Sequence, residues 1–375
     1  MSLLRRLTVA AAAAGALAAA GLPSAATAQA RPTGPTFLSN FSTETPVSPA
    51  ASPLNGDQNP YGVFIVRQTT GRLQAGNILV SDFNNSNDGG NLQGTGRTIL
   101  QISPGGQLSV FATIDPASLP GPCPGGVGLT TALEVLPGGW VVVGSTPSVD
   151  GSLQTASAGC LIVLDRNGNL AETISGHGIN GPWDSTEAVF GDFADLFVAN
   201  VLNGTVQPGN PVVHGGTVLR LGLQLSEDHA PQLVSVTTVG SRFPEQTNAA
   251  AFVLGPTGLG LGADGTLYVA ETQDSSIHAI RAALNRGGGG GPGQQITQGL
   301  PLNQPLGLAI APNGDILTVN GGDGNIVETT PKGAQVDSMQ ITPNGGGALF
   351  GLAVLPDTEG VYFVDDALNT LNLLH

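Results

Sequence analysis

Apolar and polar residues alternate with a short period along most of this chain, and Gly, Asn, Asp and Pro interrupt the alternation again and again. Residues 258–277 (GLGLGADGTLYVAETQDSSI) form the clearest unit. Leu259 and Leu261 mark one strand, Ala263-Asp264-Gly265 a tight turn, and Leu267, Tyr268 and Val269 a second strand ending at Glu271. Asp-Gly between alternating runs signals a hairpin, because Gly accepts the positive φ that such a turn requires. The unit recurs at 305–326 (turn Asn313-Gly314-Asp315), 349–368, 132–144, 183–200 and 61–82. Its second strands return roughly every 45 to 70 residues, the spacing of one propeller blade with loops of variable length.

Further strands follow the hairpins at 97–102 and 108–114, 160–165 and 170–174, 217–221 and 233–239, and 326–330 and 335–341. The pattern predicts an all-β fold, a six-bladed β-propeller of four-stranded antiparallel blades. The sixth copy ends at His375 one strand short, and residues 36–41 (TFLSNF) are the candidate N-terminal strand that closes the ring. Closure of this kind leaves only short, protected edges.

The repeated Pro-x-Gly-apolar and x-x-Gly-x-apolar-apolar-Val pattern resembles NHL-repeat and SMP-30/gluconolactonase-like six-bladed propellers over most of the chain after residue 35. The order of the blades, including GPWDSTEAVFGDFADLFVANVLNGT and NGGDGNIVETTPKG, is similar to secreted bacterial NHL-repeat proteins. The resemblance implies a binding, recognition or scaffold module. The alternative it implies is a metal-dependent hydrolase or lyase, with Asn200, Glu271, Asn320 and Asp365 as ligand candidates. Lactonases of this type carry Glu-Gly-Pro at the start of the first blade, where this chain has Asn59-Pro60-Tyr61, a departure that argues against lactone hydrolysis.

Residues 1–30 read as a secretory signal rather than as part of the fold, leaving 31–375 as one propeller domain. Met1 to Arg6 is short and basic, residues 7–21 are apolar and Ala-rich, and Ala28-Gln29-Ala30 fits a small-x-small cleavage site. Arg5-Arg6 fits a simple basic leader better than a twin-arginine signal. No later stretch reaches membrane-spanning length. The expected location is the periplasm or the extracellular space.

Composition supports turn-rich β structure. The chain has 56 Gly and 27 Pro, yet its hydrophobic content of 40% is enough for a large core. Residues 286–295, with five consecutive glycines, read as a loose loop of the fourth blade. The net charge is −15, and Lys332 is the single lysine. A surface of that sign repels phosphate backbones, so nucleic acid is not an expected partner. The expected partner is an extracellular ligand or protein, and the chain is expected to be monomeric.

Chemistry is sought where strand ends converge on the channel. Aligning the residues after the second strands gives Asp82, Gly144, Asn200, Glu271, Asn320 and Asp365. Carboxylates and amide oxygens suit Ca2+, so Asp82, Asn200, Glu271, Asn320 and Asp365 are the candidate metal ligands and calcium the candidate cofactor. Asx side chains at strand ends also make turns by bonding nearby backbone, which is the competing explanation. A second set precedes the first strands: Tyr61, Trp183, Asp184 and Phe350 are candidates for a ligand wall, with channel plugging or packing between blades the alternative for the aromatics. Cys123 and Cys160 are expected to pair in an oxidising compartment. Asp165 to Asn169 imitates a calcium-hand opening but lies between two strands, and is read as a hairpin turn. His177 and His214 are the histidines that could face the mouth. No G-x-S-x-G elbow or zinc spacing is present.

Overall fold

The computed structural model describes residues 35–86, 90–342, 345–357 and 359–375; the expected signal segment 1–30 lies outside them. Six antiparallel sheets follow one another along the chain. Blade 1 is Asp57–Ile65, Ile78–Asn85, Thr98–Ile102 and Leu108–Thr113. Blade 2 is Leu129–Leu136, Trp140–Ser145, Cys160–Leu164 and Leu170–Ile174. Blade 3 contains Gly181–Phe190, Phe193–Val201, Val213–Gln224, Gln232–Asn248 and Phe252–Leu254. Blade 4 is Pro256–Leu261, Leu267–Glu271, Ser276–Ile280 and Gln294–Gln298. Blade 5 is Pro305–Ile310, Ile316–Asn320, Asn325–Thr329 and Gln335–Gln340. Blade 6 joins Leu349–Val354, Val361–Asp365 and Thr370–Leu374 to Glu44–Pro49 from the other end of the chain.

The first strand of each blade packs against the first strands of both neighbouring blades, and blade 6 packs against blade 1, so the ring is complete. Apolar clusters fill the junctions. Leu129, Leu133 and Val143 of blade 2 meet Phe64, Leu79 and Phe111 of blade 1, for example, and Leu259 and Val269 of blade 4 meet Phe197 and Phe243 of blade 3. Burying both faces of the middle strands explains why they read as apolar runs such as Ile78-Leu79-Val80 and Val361-Tyr362-Phe363-Val364.

Ring closure is by an N-terminal strand, as expected, but by a different segment. Glu44–Pro49 pairs with Thr370–Leu374, with Glu44 opposite Leu374 and Pro49 opposite Thr370. Pro46 and Pro49 weaken its strand signal in the sequence, although Pro is tolerated on an outermost strand. Residues 36–41 instead fold around a short 3-10 turn, Leu38–Asn40. Phe37, Leu38 and Phe41 recur at a turn's spacing rather than a strand's, and all three are buried with Leu317, Ile326 and Phe363 between blades 5 and 6. The Glu328 carboxylate accepts the Phe37 and Leu38 N–H groups at 2.8 Å each.

Blade 3 departs from the expected four strands. Its outer strand runs well beyond residues 233–239, and a further strand folds back on it. The Asn248 side chain makes the reversal by accepting the Ala250 and Ala251 N–H groups at 2.7 and 2.9 Å. Phe252 follows with φ of 64°, an uncommon conformation for a bulky side chain, and is fully buried.

One irregularity recurs in all six blades. Each first strand shifts register soon after it begins: after Pro60, Leu129, Pro182, Pro256, Pro305 and Leu349. Such bulges re-aim the side chains that follow. In blades 5 and 6 the bulge holds Gly307 and Gly351, where a Cβ would come within 2.1 Å of the Phe350 carbonyl oxygen and 2.2 Å of the Tyr61 carbonyl oxygen. Only Gly lets adjacent first strands approach so closely. Gly62 and Gly258 occupy the same place in blades 1 and 4, whereas blade 3 has Asp184.

Candidate functional site

The residue preceding that glycine position builds a plug. Tyr61 stacks on Phe350 with ring centroids 3.8 Å apart and on Phe83 at 4.5 Å. Trp183 meets Tyr61 edge-on at 5.8 Å, and Phe252, delivered by the extra strand of blade 3, meets Phe83 at 5.4 Å. Tyr61, Phe83, Trp183, Phe252 and Phe350 are all buried. Of the four residues read as a ligand wall, the three aromatics therefore pack on one another, and only Asp184 lines the main cavity.

The candidate metal ligands lie at the plugged end, opposite the starts of the first strands. Pro60 pairs with Asp82, Pro182 with Asn200, Pro256 with Glu271, Pro305 with Asn320 and Leu349 with Asp365. In blade 2 the equivalent residue is Ser145, which pairs with Leu129, rather than Gly144. Much of their bonding is local. Asn200 Oδ1 accepts the Asn180 N–H at 2.7 Å and its amide donates to Gly178 O and Thr217 Oγ1. Asp365 accepts the Leu368 N–H at 3.0 Å and the Thr342 hydroxyl at 2.6 Å. Glu271 Oε1 accepts the Gln273 N–H, and the Asn320 amide donates to Pro301 O. Among the described residues, Oε2 of Glu271 and Oδ1 of Asn320 are buried without a protein partner, and the Ser52 backbone N–H lies beside the buried Asp82 carboxyl. Burial, and then the charges of Asp57 and Asp274 respectively, push Asp82 and Glu271 well above the usual carboxylate range. Among the described residues, no group of three or more His, Cys, Asp or Glu side chains is placed to hold a metal ion.

The other end of the channel is open. A cavity of about 560 Å³ is lined by all six first strands, through Val63, Leu133, Asp184, Leu259, Leu308 and Leu352 among others. Its wall is apolar except beside blades 2 and 3, where Glu134, Asp184 and Glu187 come together with Arg67 from the end of blade 1. Glu134 is only 7% exposed, and among the described residues its carboxyl has no hydrogen-bond partner. Burial raises it well above the usual range, the charges of Glu187 and Asp184 add to the shift, and Arg67 opposes it. Asp184 Oδ2 accepts the Leu259 N–H across the blade 3–4 junction at 2.9 Å, yet burial still lifts this carboxyl to about 7. Glu187 Oε1 pairs with Arg67 Nη1 at 3.0 Å while its Oε2 is buried without a partner. The Arg67 guanidinium is largely exposed and lies 5.5 Å from the Phe64 ring.

Carboxyls in this state have two uses. Protonated, they donate to a neutral oxygen; ionised, they hold a cation. Sequence reasoning found Asp184 but missed Glu134, Glu187 and Arg67. The available signal was the repeat itself: Glu134 stands where blades 5 and 6 have Ala309 and Ala353, and Glu187 where they have Ile310 and Val354. His177 and His214 do not line the cavity. Cys123 and Cys160 are joined, with Cα atoms 5.2 Å apart, which agrees with an oxidising compartment. No described helix is long and apolar enough to cross a membrane.

No protein-family profile and no curated protein matches the chain. Solved structures do. A candidate gluconolactonase is similar at 18% identity over 92% of this chain and 97% of that chain, with a TM-score of 0.55. A gluconolactonase from Xanthomonas campestris is similar at 14% identity over 89% and 97%, with a TM-score of 0.51. The PQQ-bound aldose sugar dehydrogenase of Streptomyces coelicolor gives 15% identity over 88% and 97%, also at 0.51. At these identities the likeness concerns architecture: this chain has the six-bladed propeller fold of the SMP-30/gluconolactonase-like proteins.

Proposed function

We propose that the chain is a binding propeller that takes a small ligand into the open end of its channel. The observation that carries this reading is the cavity of about 560 Å³, stopped at one end by aromatic packing and bearing partly unpartnered carboxyls at the other. Pockets of this size, apolar with a few convergent polar groups, suit compact organic ligands. A periplasmic or extracellular recognition role fits an exported, disulfide-bonded chain. Calcium belongs to this reading at the plugged end, where among the described residues Glu271 and Asn320 keep buried oxygens without a protein partner and Asp82 is buried nearby in the same ring of strand ends. Metal content and calcium-dependent melting of the mature protein test that part separately.

A second reading, hydrolysis or elimination on a ligand in the channel, is favoured by Asp184, whose carboxyl near 7 suits general acid or base work at neutral pH. Ala353, which lines the cavity, offers a test of the first reading. A thermal-shift panel of small amines, alcohols, sugars and lactones is compared on the wild type and on Ala353→Phe, which fills the channel. Ligands that shift the wild type and not the variant support it. Shifts that survive the variant place binding elsewhere and defeat the proposal.

A further inference from the structure

The carboxyl cluster is richer in negative groups than in donors. Glu134, Asp184 and Glu187 face one cavity wall, and among the described residues one cation lines it, Arg67, which reaches a single oxygen of Glu187. Asp184 has a backbone donor in Leu259 N–H. Glu134 has none among the described residues although it is more than nine-tenths buried, and Glu187 Oε2 is buried and unpartnered. Leaving such groups unsatisfied is costly, and a native structure meets them with water, an ion or a ligand. Beside the cluster the wall is aliphatic: Leu133, Leu259, Leu308 and Leu352 line it at one register level, between Asp184 on the plug side and Glu134 and Glu187 on the open side.

Resting on the channel-binding reading above, we infer that the ligand is a primary amine with an apolar body, its ammonium held among Glu134, Asp184 and Glu187 and its carbon chain lying along the leucine wall. An ammonium has three donors for three carboxyls, which a hydroxyl cannot match. Charge-assisted bonds of this kind are also the stronger ones. Arg67 occupies part of the same role from outside, and its exposed side chain is free to swing away when an ammonium enters. Because Glu134 and Asp184 hold protons at neutral pH more readily than ordinary carboxyls, the cation displaces protons to solvent as it binds.

The test is calorimetric titration of the mature protein with n-pentylamine and with 1-pentanol, at neutral pH in two buffers of different ionisation enthalpy. The expected result is amine affinity about tenfold or more above the alcohol's, as for a close desolvated charge pair. The amine's heat alone is expected to depend on the buffer, marking proton release. Glu134→Gln, nearly isosteric, should bring the amine down to the affinity of the alcohol, whose retained binding reports an intact channel. Arg67→Gln should tighten the amine by freeing Glu187. Equal affinities for amine and alcohol, or an amine preference that persists in Glu134→Gln, overturn the inference while leaving the channel-binding reading in place. If both probes bind Ala353→Phe as they bind the wild type, the channel-binding reading falls and this inference with it.

Discussion

Arg67 and Glu187 meet at 3.0 Å although their blades are not neighbours in the ring. Arg67 follows the first strand of blade 1 and Glu187 lies in the first strand of blade 3, so the pair passes blade 2 and its Glu134. Glu187 stands level with Leu261, Ile310 and Val354, the last residues of the first strands of blades 4, 5 and 6, and so lies at the open end of the channel. Since Arg67 is 69% exposed on its side chain, removing it is expected to cost less than about 1 kcal/mol in stability. Its larger effect is electrostatic. The melting temperature of Arg67→Gln is expected to match the wild type at pH 5 and to fall below it at pH 8, where Glu187 and Glu134 lose their nearest cation.

Stability should decline from acid toward neutral pH. Burial raises Asp184, Glu245 and Asp366 to about 7 in the folded chain, while their unfolded values lie near 4. Between those limits the folded state binds more protons than the unfolded state. Their contribution is therefore fully present at about pH 4 and is lost as pH rises through about 7, on the order of several kcal/mol in total. His278 acts in the opposite sense: burial lowers it, so protons taken up by the unfolded chain below its ordinary value favour unfolding. One imidazole does not outweigh three carboxyls. Urea unfolding at pH 5 and pH 8 checks the sign, and a higher midpoint at pH 8 contradicts it.

Asp184→Gly returns blade 3 to the glycine found at 62, 258, 307 and 351. It also leaves the Leu259 N–H without its acceptor, a loss of about 1–3 kcal/mol. Asp184→Asn keeps an acceptor oxygen and carries no charge. At pH 8 the Asn variant is expected to be at least as stable as the wild type, and the Gly variant less stable than the Asn variant at both pH 5 and pH 8. Chemical denaturation of the three proteins separates the hydrogen bond from the charge.

The Cys123–Cys160 bond closes a span of 37 residues around the first hairpin of blade 2. Chain-entropy reasoning assigns such a loop roughly 4 kcal/mol. Cys160 begins a buried strand, so serine there adds a buried hydroxyl, whereas Cys123 lies in a loop. Cys123→Ala is therefore the cleaner probe, with a melting temperature expected to fall close to that of the wild type in reductant. Little change on reduction would contradict a structural role for the bond.

The propeller was legible because hairpin turns at Asp264-Gly265 and Asn313-Gly314 fix strand period locally, and each blade repeats the signal. The closing strand was not. Glu44–Pro49 carries two prolines and owes its conformation to Thr370–Leu374 at the far end of the chain. Phe252 was equally hidden, since a buried aromatic with positive φ is held by tertiary contacts with Phe83 rather than by local preference. At the site, Asp184 was legible as part of the stretch preceding the first strand of blade 3. Glu134 and Glu187 lie inside strands, away from the strand ends where chemistry was sought, and the closure of the ring turns both toward one cavity.

The N–H of Thr43 donates to the His375 carbonyl at 3.0 Å, and the His375 N–H donates to the Thr43 carbonyl at 2.8 Å. The start and the finish of the ring are thus a hydrogen bond apart, with the seam inside blade 6 rather than between two blades. Topologically the chain from Thr43 onward is a circle cut at one point. Such a circle leaves out Phe37, Leu38 and Phe41, which pack between blades 5 and 6. A short peptide joining residue 375 to residue 43, with new ends opened in the glycine run at 287–291, moves the seam into blade 4 and leaves the aromatic plug and the carboxyl mouth in place.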